Sequence, residues 1–226
     1  MQFSKRTIQI LRNFSSIHQA MMFKPGNEIK VVSESHSILA KAKIDTQIDG
    51  TFAIYDMGKF LSALSMFETP ELTEKGSYVE IRQGNEKIDY ICAEPSLIKR
   101  PPEKEIALPS VDVEVKLVSE TIDRMIKGMA ITGANVIAFT GDGENIYLEA
   151  KTLSMTKNQA GSNGTPSYRA LIGKTDKTFS FIFNADNIKL LPGEYNVYIT
   201  RQGLAHFEGS DVEYWIAVES KSTFEG

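Results

Sequence analysis

The stretch TFAIYDMGKFLSAL, residues 51–64, has an echo in TFSFIFNADNIKLL, residues 178–191. Each opens on Thr-Phe, continues as an apolar strand-like run, reaches Asp56 or Asn184, and then changes to helical spacing. Asp and Asn suit the start of a helix because a side-chain oxygen accepts a backbone N–H that the first turn leaves unpaired. Both stretches therefore predict a strand, a cap and a helix. A unit that occurs twice in one chain points to duplication, and duplication dictates architecture before any local detail does.

The echo extends in both directions. IRQG (81–84) returns as ITRQG (199–203), and YICAE (90–94) returns one residue longer as YWIAVE (214–219). Nearer the start, FSKRTIQILRNF (3–14) parallels VSETIDRMIKGM (118–129), aligning Ser4 with Ser119, Leu11 with Ile126 and Arg12 with Lys127. The second copy is longer, and the Gly/Ser/Asn-rich KNQAGSNGTPS (157–167) accommodates the insertion. Four matched segments in one order predict two copies of a single domain. Between them EPSLIKRPPEKEIALPS (94–110) holds four prolines, which favour an extended connector over helix or central strand. The predicted domains are residues 1–108, ending in that connector, and residues 109–226.

Most of each copy reads as strand. EIKVVSESHSILAKAKI (28–44), YVEIRQG (78–84), KIDYICAE (87–94), VDVEVKLV (111–118), YNVYITRQG (195–203) and VEYWIAVES (212–220) are rich in β-branched and aromatic residues with partial alternation. NVIAFTGDGENIYLEAKTL (135–153) carries GDGEN between two such runs, which predicts a hairpin turn. It lacks the acidic ladder and closing Glu of a calcium loop.

Four short helices are expected among the strands. The first, capped by Ser4, buries Phe3, Thr7, Ile10, Leu11 and Phe14. At about 100° per residue, Lys5, Gln9 and Arg12 share its opposite face, with Arg6 and Asn13 on the shoulder. The second, capped by Asp56, buries Met57, Phe60, Leu61 and Leu64 and exposes Lys59. The third begins at Ser119, buries Ile122, Met125, Ile126 and Met129, and exposes Arg124 and Lys127. The fourth, capped by Asn184, buries Ile188 and Leu191, exposes Lys189, and stops at Pro192-Gly193.

The helices carry the positive charge. Windows 4–13, 56–67, 119–129 and 184–191 hold seven Lys/Arg and four acids, a net +3; the chain is at −4, so the remainder carries −7. The acids sit at helix starts, where the macrodipole favours them, and the bases lie further along. A positive face attracts a polyanion through phosphate neutralisation and counterion release, without reading its sequence. Nothing here provides a base-reading device: there is no helix-turn-helix pair, no zinc-finger spacing and no platform of interleaved aromatics.

Other classes do poorly. His18, His36 and His206 stand far apart, with no carboxylate, Ser or Cys in a recognised pattern around them. AGSNGTPS (160–167) lacks the Lys and spacing of a phosphate-binding loop. The expectation is no catalysis, no metal and no cofactor. The single Cys92 excludes an intramolecular disulfide and fits a reducing compartment. No apolar run approaches the ~20 residues of a bilayer span, and the amphipathic start is no secretory signal. These features predict a protein of the host-cell cytoplasm.

FSKRTIQILRNFSSI (3–17), FAIYDMGKFLSALS (52–65), FNADNIKLLPGEYNVYI (183–199) and WIAVESKST (215–223) together resemble the DNA polymerase sliding clamps of T-even-type tailed phages. The likeness runs in order over nearly the whole chain. It implies an α+β fold of two similar domains, each with helices on one side of antiparallel sheet. It further implies a head-to-tail homotrimer, a closed ring of six domains whose helices line a hole for duplex DNA. On this reading Lys5, Arg6, Arg12, Lys59, Arg124, Lys127 and Lys189 face the hole. Subunits would join by edge strands near residues 87–94 and 167–173. The polymerase and an ATP-dependent clamp loader would dock apolar tails beside the connector, near Leu97, Ile98, Ile106 and Leu108, residues that equally suit packing the connector onto its own domain. Relatives also act with RNA-polymerase-associated late transcription factors. The competing reading is a trimeric, β-rich phage structural protein, which has no need of bases concentrated on its helices.

Overall fold

The computed structural model describes residues 1–153 and 167–225. Most of the insertion expected at residues 157–167 lies outside them. The chain divides into two compact units, one of Met1–Glu105 with Asp211–Glu213 and one of Ile106–Ser210 with Tyr214–Gly226.

The first unit contains α1 (Lys5–Ile17), β1 (Met21–Phe23), β2 (Gly26–Val32), β3 (Ile38–Ile48), β4 (Phe52–Ile54), α2 (Met57–Leu64), β5 (Glu71–Glu74), β6 (Tyr78–Gln83) and β7 (Glu86–Ile91). Helix α1 starts where expected: Ser4 Oγ accepts the Thr7 N–H at 3.0 Å. Its buried stripe is Thr7, Ile10, Leu11, Phe14 and Ile17. Phe3 lies only half-buried ahead of it, its ring 6.3 Å from that of Phe23. The Thr7 hydroxyl would be costly to bury alone; it donates to Asp45 Oδ1 at 2.8 Å. Helix α2 is capped by Asp56 and buries Met57, Phe60, Leu61 and Leu64, the four positions its spacing selects. Fully burying a side chain of this kind contributes roughly 1.5–3 kcal/mol. Phe23 and Phe52 stack at 4.6 Å across the β1–β4 pair, and Phe60 meets Tyr90 edge-on at 5.2 Å.

One detail differs from the expected strands. Residues 28–44 form a hairpin rather than one run: the chain turns over Ser33–Ser37, where His36 takes φ 56° and Ser33 Oγ accepts the Ile38 N–H. The last three strands of this unit form an antiparallel sheet in the order β5-β6-β7, with β7 at its edge. Beyond β7, the Cys92 N–H donates to Ser77 O at 2.9 Å. Cys92 itself is half-buried, and burial followed by the Glu74 carboxylate pushes its thiol pKa up.

The second unit contains β8 (Val113–Leu117), α3 (Ser119–Thr132), β9 (Val136–Asp142), β10 (Asn145–Lys151), β11 (Tyr168–Lys174), β12 (Thr178–Asn184), β13 (Tyr195–Thr200), β14 (Leu204–Glu208), β15 (Val212–Ala217, from Tyr214 on) and β16 (Thr223–Phe224). One antiparallel sheet runs β11-β10-β9-β12-β16, with β11 at its edge. In the second, β13 lies between β8 and β14. The β9–β10 link is the expected hairpin: Asp142 Oδ1 accepts the N–H groups of Glu144 and Asn145, and Gly143 takes φ 89°. Phe139, Phe183 and Phe207 meet edge-on at about 6 Å in the core.

Helix α3 packs on β10 and β11 with a stripe of Ile122, Met125 and Gly128. This corrects the expected stripe: Ile126 is exposed and Met129 only half-buried. The stripe turns because Gly128 admits the Tyr168 ring; a Cβ at 128 would sit 2.8 Å from the Tyr168 side chain. The fourth helix is a correction too. After Asn184, whose side chain accepts the Asp186 N–H, the chain makes one 3-10 turn over Ala185–Asn187 and leaves it. Tyrosine hydroxyls replace helical bonds at Leu191: its N–H donates to Tyr214 Oη at 3.1 Å, and its carbonyl accepts from Tyr195 Oη at 2.7 Å.

Candidate nucleic-acid interface

Because α1 buries one stripe, the residues a half-turn away are exposed, and these include Lys5, Gln9 and Arg12. Among the described residues neither Lys5 nor Arg12 is ion-paired with a carboxylate. Arg6, on the shoulder, is different. Its Nε and Nη2 donate to Asp211 Oδ2 and Oδ1, both at 2.7 Å, a bidentate pair within the first unit. That hydrogen bonding, followed by the guanidinium charge, holds the Asp211 carboxyl below its ordinary pKa. Arg6 is therefore oriented and largely neutralised, whereas Lys5 and Arg12 project their charge into solvent.

The same sorting applies to the other bases. On α3, Lys127 is exposed and not ion-paired among the described residues, while Arg124 Nη2 reaches Glu120 Oε1 at 2.5 Å, one turn back. On α2, Lys59 is highly exposed, 3.5 Å from the capping Asp56. Exposed pairs of this kind contribute at most ~1 kcal/mol, so both cations can be drawn to a stronger polyanion. Lys189 comes just after the 3-10 turn and is half-buried. Among the described residues, three cations without a carboxylate partner thus stand on the exposed faces of the two longer helices, Lys5 and Arg12 on α1 and Lys127 on α3. Arg12 and Lys127 are the pair aligned by the sequence repeat.

The connector has its own geometry. Ile98 is buried in a small cluster with Ala20 and Ala53, so it packs the connector onto the first unit. Leu97 points outward at 69% exposure, beside the similarly exposed Tyr55. A cavity of about 550 Å³ opens here, walled by Ile17, Tyr55, Leu97 and Ile98 and rimmed by His18 and Lys99. His18 braces it: Nδ1 accepts the Ala20 N–H at 3.0 Å and Nε2 lies 2.6 Å from Glu34, which Lys99 also meets. Ile106 and Leu108 are half-buried and line no cavity described here. Sequence reading missed Tyr55, His18 and Glu34 at this cavity, because they come from three segments of the chain that converge on the connector.

Both regions expected to join subunits lie at sheet edges. β7 and β11 each end a sheet, and each carries an outward apolar residue, Ile91 at 71% and Leu171 at 60% exposure. Their alternation with the half-buried Tyr90 and Ala170 is the sequence signal that finds them.

The family described as gp45 sliding clamp, C terminal, matches residues 114–220. The sliding clamp of Escherichia phage RB69 is 30% identical over 99% of both chains. Those of Vibrio phage KVP40 and Enterobacteria phage T4 are 29% and 28% identical over 97% and 99% of this chain. Among solved structures, PCNA of A. fulgidus bound to the C-terminal region of FEN-1 superposes with a TM-score of 0.71 at 15% identity, covering 99% of this chain and all of that one. PCNA of Entamoeba histolytica gives 0.68 at 13% identity, over 96% of this chain and 97% of its own. At such identity the structural matches speak for the fold alone, two clamp-type domains with helices against antiparallel sheet. The RB69 relative speaks for more, since it aligns end to end, and this chain belongs to the sliding-clamp family of T4-type phages.

Proposed function

We propose that this protein is a sliding clamp that encircles duplex DNA and tethers the replicative polymerase, giving processive synthesis. The observation that carries the reading is the exposed face of α1, where Lys5 and Arg12 stand without a carboxylate partner among the described residues, in a chain whose net charge is −4. Lys127 repeats the arrangement on α3, and Lys59, Arg124 and Lys189 add charge that can be recruited. Arg6 is assigned an indirect part, holding α1 through Asp211. Residues 1–108 and 109–226 are the two wedges that each copy supplies to a ring of six. Retention on DNA then comes from topology, and loose contacts to phosphate suit sliding better than a tight lattice of pairs.

Three copies close the ring by pairing the β7 edge of one with the β11 edge of the next, which satisfies backbone groups that open edges leave unpaired and covers Ile91 and Leu171. The cavity beside Leu97 and Tyr55 receives an apolar segment of the polymerase or of an ATP-dependent loader. Late-transcription factors are a further class of partner for the same clamp. The chain needs no cofactor or metal and acts in the cytoplasm of the infected host.

The test is charge reversal. With Arg12→Glu and Lys127→Glu together, solution mass should still report a trimer while long-product synthesis on primed DNA collapses. Undiminished processivity in that variant would reject the assigned face, and a monomer in the unaltered protein at high concentration would reject the ring.

A further inference from the structure

The sheet face of the second unit that turns away from its core carries a ladder of aromatic rings. Val115, Val197, Phe207 and Tyr214 are buried in the core, so the alternate positions Glu114, Tyr198, His206 and Trp215 share the opposite face. Tyr198 stands directly across from Glu114 on β8 and from His206 on β14. Its ring lies 6.0 Å from His206, and His206 stacks on Trp215 at 4.5 Å with 7° between planes. Trp215 is buried and the other two half-buried, so the ladder has a packed end and an open end.

Two carboxylates bracket the open end. Glu208 accepts the Tyr198 hydroxyl at 3.3 Å, and Glu114 flanks the ring from the neighbouring strand. Both are exposed, and neither is ion-paired among the described residues. Lys116, on the same face of β8, is held by Glu194 at 3.0 Å. Burial, then these two carboxylates, raise the pKa of the Tyr198 phenol, so the ring stays neutral with an electron-rich face. Cross-strand stacking stabilises a sheet by itself, which accounts for the ladder but not for two unneutralised acids at its open end.

We propose that this face docks a cationic, guanidinium-bearing segment of a partner protein. An arginine fits all three groups at once: its plane stacks on an aromatic face while its N–H fork reaches a carboxylate. An apolar segment would strip water from Glu114 and Glu208 and return nothing, and an acidic one would be repelled. The surface shares no residue with the basic helices, the edge strands β7 and β11 or the connector cavity, so it stands or falls independently of the clamp reading.

Trp215 is the one tryptophan of the chain, and its fluorescence reports on the ladder. Titration of the full-length protein with a blocked Gly-Arg-Arg-Gly peptide should change its emission saturably, the Lys peptide should bind more weakly, and the Glu peptide should give no change. Glu114→Gln with Glu208→Gln should weaken the Arg peptide about fivefold or more, as should Tyr198→Ala, whereas Tyr198→Phe should retain it. A remote neutralisation, Glu71→Gln, should have no effect. A response that does not saturate, that is equal for Arg and Glu peptides, or that survives neutralisation of both carboxylates overturns the proposal.

Discussion

After Asp56 the chain completes an eight-residue α-helix, whereas after Asn184 it makes a single 3-10 turn and departs. The approach is the same in both places: a strand entered through Thr-Phe, and a side-chain oxygen that accepts an early N–H. The segments beyond the two caps differ. In α2, apolar residues at helical spacing bury Met57, Phe60, Leu61 and Leu64, and no proline intervenes. In the second copy, Pro192 stands eight positions past Asn184, and the peptide of Leu191 before it is held by two buried tyrosines. A helix nucleus fixes several residues for its first bond, so the segment after Asn184 gains more from these tertiary partners than from extending its one 3-10 turn. Duplicated sequence keeps the cap; local packing decides whether a helix grows from it.

That contrast can be broken most forcefully in the core. Phe60→Ala removes a fully buried ring under α2 and should cost about 3–5 kcal/mol in urea unfolding, against about 2 kcal/mol for Ile188→Ala at the corresponding place in the second copy. Equal losses would mean that the two segments carry equal weight. Next in size is Tyr214→Phe, which leaves the buried Leu191 N–H without its acceptor and should cost about 1–3 kcal/mol. An unchanged unfolding midpoint there would show that the tyrosine does not substitute for helical bonding.

Smaller effects sharpen the comparison at the caps. Asp56→Ala should lose about 1 kcal/mol because α2 depends on that oxygen, and Asn184→Ala about half as much, since only one turn depends on it. The smallest difference is in acid. Bonding from the Lys59 backbone N–H, followed by the Lys59 charge, lowers the pKa of Asp56 in the folded protein. Its contribution is therefore complete above the unfolded carboxylate pKa near ~3.9 and disappears as pH falls through the lower folded value. Asp56→Asn should flatten the stability profile between about pH 5 and pH 2, and Asn184→Asp should add a slope where none of this origin exists.

The caps, the hairpin at Gly143 and the α1 stripe were legible because each depends on residues within a few positions of one another. The truncated turn after Asn184 was not, since Tyr195 and Tyr214 reach Leu191 from other strands. Nor was the stripe of α3: hydrophobic spacing selects Ile126, and nothing local reveals that Tyr168 needs the space above Gly128. Among the candidate site residues, periodicity alone separated exposed from buried on α1. The Arg6–Asp211 pair spans 205 positions and leaves no trace in any window. Ile98 shows a third kind of gap, because an apolar residue in a proline-rich segment reads the same whether it plugs its own domain or awaits a visitor.

Cys92 has a practical consequence. A thiol that is half-buried and disfavours its anion reacts sluggishly with maleimides at neutral pH. A fluorophore or spin label directed to a new cysteine on an exposed helix would attach there first, with the native sulfur left in place. Distances between copies could then be followed in solution without rebuilding the chain around a cysteine-free background.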